Sequence, residues 1–200
     1  MKILAIDTTS ERGSIAITEG EQVTAEIALH STDGFAQVLF GKIENLLAGN
    51  GLRLAEIDGF ASASGPGTFT GVRVGLTAVK GLAEGMSRKV VAVSNLKAMA
   101  YFGTRNLRAP WMDARRGDIY GAVYNAGLEV IRDEVVMKYD AWLAALPADV
   151  EILSEPRLLA GAIGTIAARE FAAGRAVDPA VVDANYVRRS DAEMQWKDVV

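Results

Sequence analysis

Two aspartates, one glycine-rich loop and a lone histidine are the residues of this 200-residue chain whose types and placement could do chemistry. Asp7 ends an apolar run at 3–6, and Asp113 ends a similar stretch after Trp111 and Met112. A carboxylate at a strand end can help position a phosphate-bound metal, or it can hold a turn by accepting backbone hydrogen bonds. Ser64-Gly65-Pro66-Gly67-Thr68-Phe69-Thr70-Gly71-Val72-Arg73-Val74-Gly75 runs from an apolar strand into a helical pattern. Hydroxyls and backbone amides at a helix N-terminus can hold an anion. No Gly-Lys-Ser/Thr follows and the glycines fall G-x-G-x-x-x-G, so neither a P-loop nor a dinucleotide fingerprint is present. A purely structural reading stands beside the anion-binding one: Gly67 supplies a positive φ, Pro66 stiffens the turn and Thr70 caps the helix. His30 is the only histidine and there is no cysteine, which removes disulfides, thiolate chemistry and histidine-built metal sites. No metal and no other cofactor is expected, and His30 reads as a surface residue before Ser31-Thr32-Asp33-Gly34.

A formal charge of −4 argues against a domain that wraps nucleic acid by itself, because phosphate neutralisation needs clustered Lys and Arg. No direct sequence-specific nucleic-acid binding is expected, and any RNA link runs through a partner. Half the residues are apolar, as in a globular protein. The run at 3–6 is too short for a signal peptide or a membrane span, so the cytoplasm is the expected compartment.

The elements that must position these residues are an α/β set. Strands are predicted at 3–7, 14–18 and 23–29, a helix at 35–47, a strand at 57–62, a helix at 72–86 and a strand at 90–93. Shifting the chain by about 106 residues brings the opening pattern back, with Asp7 on Asp113 and no gap needed. Strands at 120–124 and 129–135, a helix at 141–145, a strand at 150–153 and a helix at 158–173 complete a shorter second copy. The expectation is an actin-like, ribonuclease H-like fold of two duplicated lobes, the second shortened, at 1–102 and 103–200, joined near 101–107. In such a fold the two aspartates stand where phosphate loops would lie.

The second helix contains Gly75, Gly81 and Gly85, each costing about 1 kcal/mol against alanine in a helix interior. With Gly71 and Ala78 they make a small-residue stripe along which another backbone can approach. One reading is packing inside the chain. The other is a helix bundle shared with a second chain, with Phe35, Leu39, Phe40, Ile43 and Leu47 on the first helix and Gly75, Ala78, Val79 and Leu82 on the second as the contact set. Phe40 and Leu47 read as lying off the main stripe.

Leu4-Ala5-Ile6-Asp7-Thr8-Thr9 and the segment from Gly65 to Gly75 resemble the TsaB (YeaZ) family. Met112-Asp113-Ala114-Arg115-Arg116-Gly117-Asp118-Ile119-Tyr120 is similar to the family's D-A-R-x-G-E-V-Y segment, and Tyr186-Val187-Arg188 to its Y-L-R segment. The resemblance implies a two-lobe actin-like fold without independent enzyme activity. It also implies partnership with a catalytic paralogue, TsaD, and an ATPase, TsaE, in threonylcarbamoylation of adenosine 37 in tRNA. Family members pair with themselves, which implies a homodimer when the chain is alone, with the first-lobe helices as the contact surface. The chain departs from the family at Phe35-Ala36, where many members have a histidine and a small hydroxyl residue, and in its short second lobe.

A stand-alone actin-like ATPase or small-molecule kinase is the alternative from another class. It needs small residues beside the phosphates, whereas Ala114, Arg115 and Arg116 follow Asp113. Asp7, Thr8, Asp113 and Arg115 are therefore read as degenerate phosphate-loop positions, with no catalytic residue assigned. The C-terminal segment with Arg188, Arg189, Asp191 and Glu193 reads as a surface arm anchored by Trp196.

Overall fold

A computed structural model describes residues 1–30, 34–154, 157–185 and 187. The expected C-terminal arm and its Trp196 lie outside the described residues. The first half of the chain forms β1 (Lys2–Asp7), β2 (Ser14–Glu19), β3 (Gln22–Ala28), α1 (Leu39–Gly49), β4 (Gly59–Ala63), α2 (Phe69–Gly85), β5 (Val90–Val93) and α3 (Asn95–Ala100). The second half forms β6 (Leu107–Asp113), β7 (Asp118–Asn125), β8 (Val130–Lys138), α4 (Tyr139–Ala145), β9 (Glu151–Leu153) and α5 (Ala160–Ala172).

The first sheet has the order β3-β2-β1-β4-β5 and the second β8-β7-β6-β9. In each, a three-strand antiparallel meander places its first strand parallel to the strand that follows the next helix: β1 beside β4 and β6 beside β9. The fold is thus α/β and duplicated, the second copy shorter by one strand. Asp7 and Asp113 are the last residues of β1 and β6, the equivalent strands. β1 is apolar without alternation because helices cover both faces of its sheet, and Ile3, Leu4, Ala5 and Ile6 are fully buried.

Among the described residues three cores hold the layers. One lies between the first sheet and α1 and α2, around Leu4, Ile6, Leu39, Ile43, Phe60 and Val79. A second lies between the sheets, where Leu96 and Met99 of α3 meet Ile163 and Ile166 of α5 and Tyr124 of β7. The third is small, with Ile119, Val123 and Trp142 beneath α4. Helices cross over between the halves: α5 packs on β1 to β5, and α3 packs on β6 and β7. Residues 160–168 of α5 are all buried, because this helix is covered on more than one side.

Three local expectations are corrected. α2 begins at Phe69 rather than near 72, and its N-cap is Thr68, whose hydroxyl accepts from Gly71 N at 3.2 Å. The cap bond runs from the N-cap side chain to the third helical residue, a spacing that Thr68 and Gly71 meet in this earlier-starting helix and that Thr70 cannot supply. The positive φ belongs to Gly65 (104°), not Gly67, and the Gly65-Pro66 bond is cis. α3 was not anticipated, since six residues give too short a window for helical periodicity.

Candidate functional site

The turn after β1 and the glycine loop are built against each other. Asp7 Oδ1 accepts from Thr9 N at 2.9 Å and from Thr9 Oγ1 at 2.6 Å. Thr9 O accepts from Thr68 N at 2.7 Å, and Thr8 Oγ1 donates to Gly71 O at 2.7 Å. The loop's glycines serve this close approach. A Cβ on Gly71 would lie 2.1 Å from Thr8 O, and one on Gly67 would lie 2.6 Å from Thr9 Cβ.

Asn95 ties the arrangement together. Its Nδ2 donates to Thr9 Oγ1 at 2.6 Å, its Oδ1 accepts from Gly65 N at 3.0 Å, and its own N–H donates to Gly65 O at 2.9 Å. Backbone amides of Gly65, Thr68 and Gly71 therefore already have acceptors inside the chain. Asp7, Thr8, Thr9 and Asn95 are all buried. Burial pushes the Asp7 carboxyl above its usual range, while its hydrogen bonds from Thr9 pull the other way. Asn95 carried no sequence signal beyond its place after the helix-capping Ser94, whose hydroxyl accepts from Leu96 N and Lys97 N.

In the second copy Asp113 Oδ1 accepts from Arg115 N at 2.8 Å, the same two-residue turn that Asp7 makes with Thr9. Asp113 is exposed where Asp7 is buried. The chain then turns through Arg115, Arg116 and Gly117 at φ 65°, 56° and 75°, closed by Asp118 N donating to Arg115 O at 3.0 Å. Left-handed conformation costs a non-glycine residue about 1–2 kcal/mol, so the hairpin is held from outside. Lys138 Nζ does this, donating to Arg116 O at 2.9 Å and pairing with Asp118 at 2.8 Å.

The helices α1 and α2 divide the remaining residues of interest. Leu39, Ile43, Leu47, Ala78 and Val79 are buried in the chain's own core. Gly75 is buried against Thr8 Oγ1 and Ser62 Oγ, whereas nothing lies within 4 Å of a Cβ built on Gly81 or Gly85. Phe35 is half-buried, its ring against Gly13, and Leu82 is half-buried. Phe40 is 56 % exposed and Phe69 48 %. These two rings line a groove of about 470 Å³ with Ala36, Val74 and Thr77, and the Arg73 guanidinium stacks 3.7 Å from the Phe69 ring centre. The groove sets apolar rings beside an arginine, residue types enriched at the cores of protein contacts.

Fold and site together define a two-lobe actin-like protein whose first-strand turn and glycine loop are bonded to each other and whose helix face is apolar. A family model described as TsaD, tRNA N6-adenosine threonylcarbamoyltransferase, matches residues 25–173. The chain is 37% identical over 130 residues to the tRNA threonylcarbamoyladenosine biosynthesis protein TsaB of Escherichia coli K12, an alignment covering 62% of the chain and 55% of that protein. It is 35% identical over 152 residues to TsaB of Bacillus subtilis 168, covering 73% of the chain and 66% of that protein. A solved structure of YeaZ from Pseudomonas aeruginosa superposes with a TM-score of 0.79 at 25% identity, covering 92% of the chain and 99% of that structure. The chain belongs to the threonylcarbamoyltransferase family and, within it, to the TsaB (YeaZ) group. It spans between about half and two thirds of the length of the TsaB proteins it matches.

Proposed function

We propose that the chain is a non-catalytic subunit in the formation of N6-threonylcarbamoyladenosine at tRNA adenosine 37, acting in the cytoplasm by binding a TsaD-like catalytic paralogue through the α1–α2 face. The exposed pair Phe40 and Phe69 around the groove, with Arg73 stacked on one ring, carries this reading. Large exposed rings beside an arginine are the composition of an interface hot spot. The same face serves self-association when the chain is alone. The net charge of −4 supports contact with tRNA through the partners rather than directly. A TsaE-like ATPase completes the assembly.

The test is reconstitution with purified TsaD-like and TsaE-like proteins, following complex formation and modified adenosine, with Phe40→Asp beside the unaltered chain. Phe40 is exposed, so the variant is expected to melt like the parent while its affinity for the paralogue falls at least about tenfold and modification falls with it. Modification that proceeds without the chain would overturn this reading, and ATP turnover by the chain alone beside it would put the stand-alone ATPase or kinase in its place.

A further inference from the structure

One carboxylate outside the glycine loop gathers donors from the neighbouring strand and from two distant parts of the chain. Glu134, on the edge strand β8, accepts from Tyr124 OH at 3.0 Å, from Asn185 Nδ2 at 2.7 Å, and from Ser94 Oγ. Each donor is committed to something else. Ser94 caps α3, and its neighbour Asn95 holds both backbone groups of Gly65. Asn185 N donates to Ser64 O at 2.8 Å, and a Cβ on Gly65 would lie 3.1 Å from Asn185 O. Tyr124 is almost fully buried between the sheets, where burial first and the Glu134 charge second push its phenol up, so it remains a protonated donor.

Asn185 ends a strap that follows α5. The strap pairs with the edge of the first sheet at Val90 and Val177 and crosses α2, where Lys80 Nζ donates to Val182 O at 2.9 Å. It then returns to the glycine loop at Ser64. Between these anchor points and the loop, Glu134 is where the second sheet meets both the strap and α3.

We infer that Glu134 is a latch: through Asn185 on one side and Ser94 on the other it holds the glycine loop from the second sheet, so releasing this carboxylate loosens the loop and the first turn of α2 together. The loop's ligand, on this view, is the chain's own strap, and the order of the α2 N-terminus is set from the other lobe. A carboxylate acceptor strengthens these hydrogen bonds, and the exposure of Asn185 leaves its bond partly shared with water.

Hydrogen exchange on the free 200-residue chain tests this without any partner. Asn185→Asp sets a second carboxylate against Glu134, and Glu134→Ala removes the acceptor of all three donors. Either change alone is expected to raise exchange at residues 64–71 by about tenfold, with β2 and α1 unchanged. The double change Asn185→Asp with Glu134→Gln restores a donor facing an acceptor, with roles exchanged, and is expected to return exchange to near the parent rate. Unchanged exchange at 64–71 in both single variants would overturn the latch. So would failure of the double change to restore protection, or a rise spread equally over β2 and α1, since either would make Glu134 a general support of the fold.

Discussion

Asp7 is a buried carboxylate whose hydrogen bonds are made within its own turn. It stands at the end of β1 with its oxygen accepting both the N–H and the hydroxyl of Thr9, and Thr9 is held in turn by Asn95. The raised carboxyl has a sign that can be worked through. A folded pKa above 3.8 means the folded chain binds more protons than the unfolded one once pH passes that value. The contribution of Asp7 to stability is therefore full below the unfolded pKa and lost as pH rises through the folded one. Asp7→Asn keeps an oxygen for Thr9 and cannot ionise. Urea midpoints measured from about pH 4 to 7 should shift steadily in favour of the variant relative to the parent as pH rises. A difference that stays flat across that range would mean the carboxyl ionises in the fold as easily as in water.

The glycines of α2 divide at the level of the element. Gly71 and Gly75 face the chain's own β1 turn and β4, while Gly81 and Gly85 face open space. Gly71→Ala would drive a Cβ into the Thr8 carbonyl, a backbone atom that cannot step aside, and is expected to cost about 1–3 kcal/mol or more. Gly81→Ala meets nothing and relieves the helix of its flexible residue, so a gain of about 1 kcal/mol is expected. Chemical denaturation of the two variants gives opposite shifts on this account, and shifts of the same sign would refute it. The split also decides which position can probe an intermolecular contact: Gly75 is committed inside the chain, whereas Gly81 is not. Closing the small-residue stripe at one end, the packing of α2 on β1 and β4 explains why so many glycines fall in one helix only for its first half.

At the scale of the molecule the two halves exchange helices. α5, encoded after β1 to β9, covers the first sheet, and its Ala160 N and Gly161 N donate to Ser14 Oγ at 3.0 Å and Glu26 Oε1 at 2.8 Å. A chain ended at residue 154 would keep β1 to β9 but expose the face of the first sheet that Ile163 and Ile166 cover. Each such aliphatic side chain contributes about 1.5–3 kcal/mol on burial, against a whole-domain stability of about 5–15 kcal/mol. The truncated chain is expected to lose cooperative thermal unfolding and near-ultraviolet circular dichroism while retaining strand signal. A sharp, cooperative melt from it would show that the first sheet stands without α5.

Hydrophobic periodicity and a shift of about 106 residues were enough to read most elements, the order of strands in the chain and the equivalence of Asp7 with Asp113. Both are carried by neighbours a few residues apart, and local spacing is what a sequence displays directly. The same information named the glycine loop but assigned its positive φ to Gly67 and its cap to Thr70, because loop geometry depends on what the loop packs against. Asn95 reaches Thr9 across 86 residues and Glu134 reaches Ser94 across 40, and no local pattern marks either pairing. Burial decided the rest: Leu47 and Gly75 disappear into the first lobe, while Phe40 and Phe69, no more apolar in sequence than their neighbours, stay in water. Which side of a helix meets a sheet is a property of the assembled layers, since only they determine which apolar surface water can still reach.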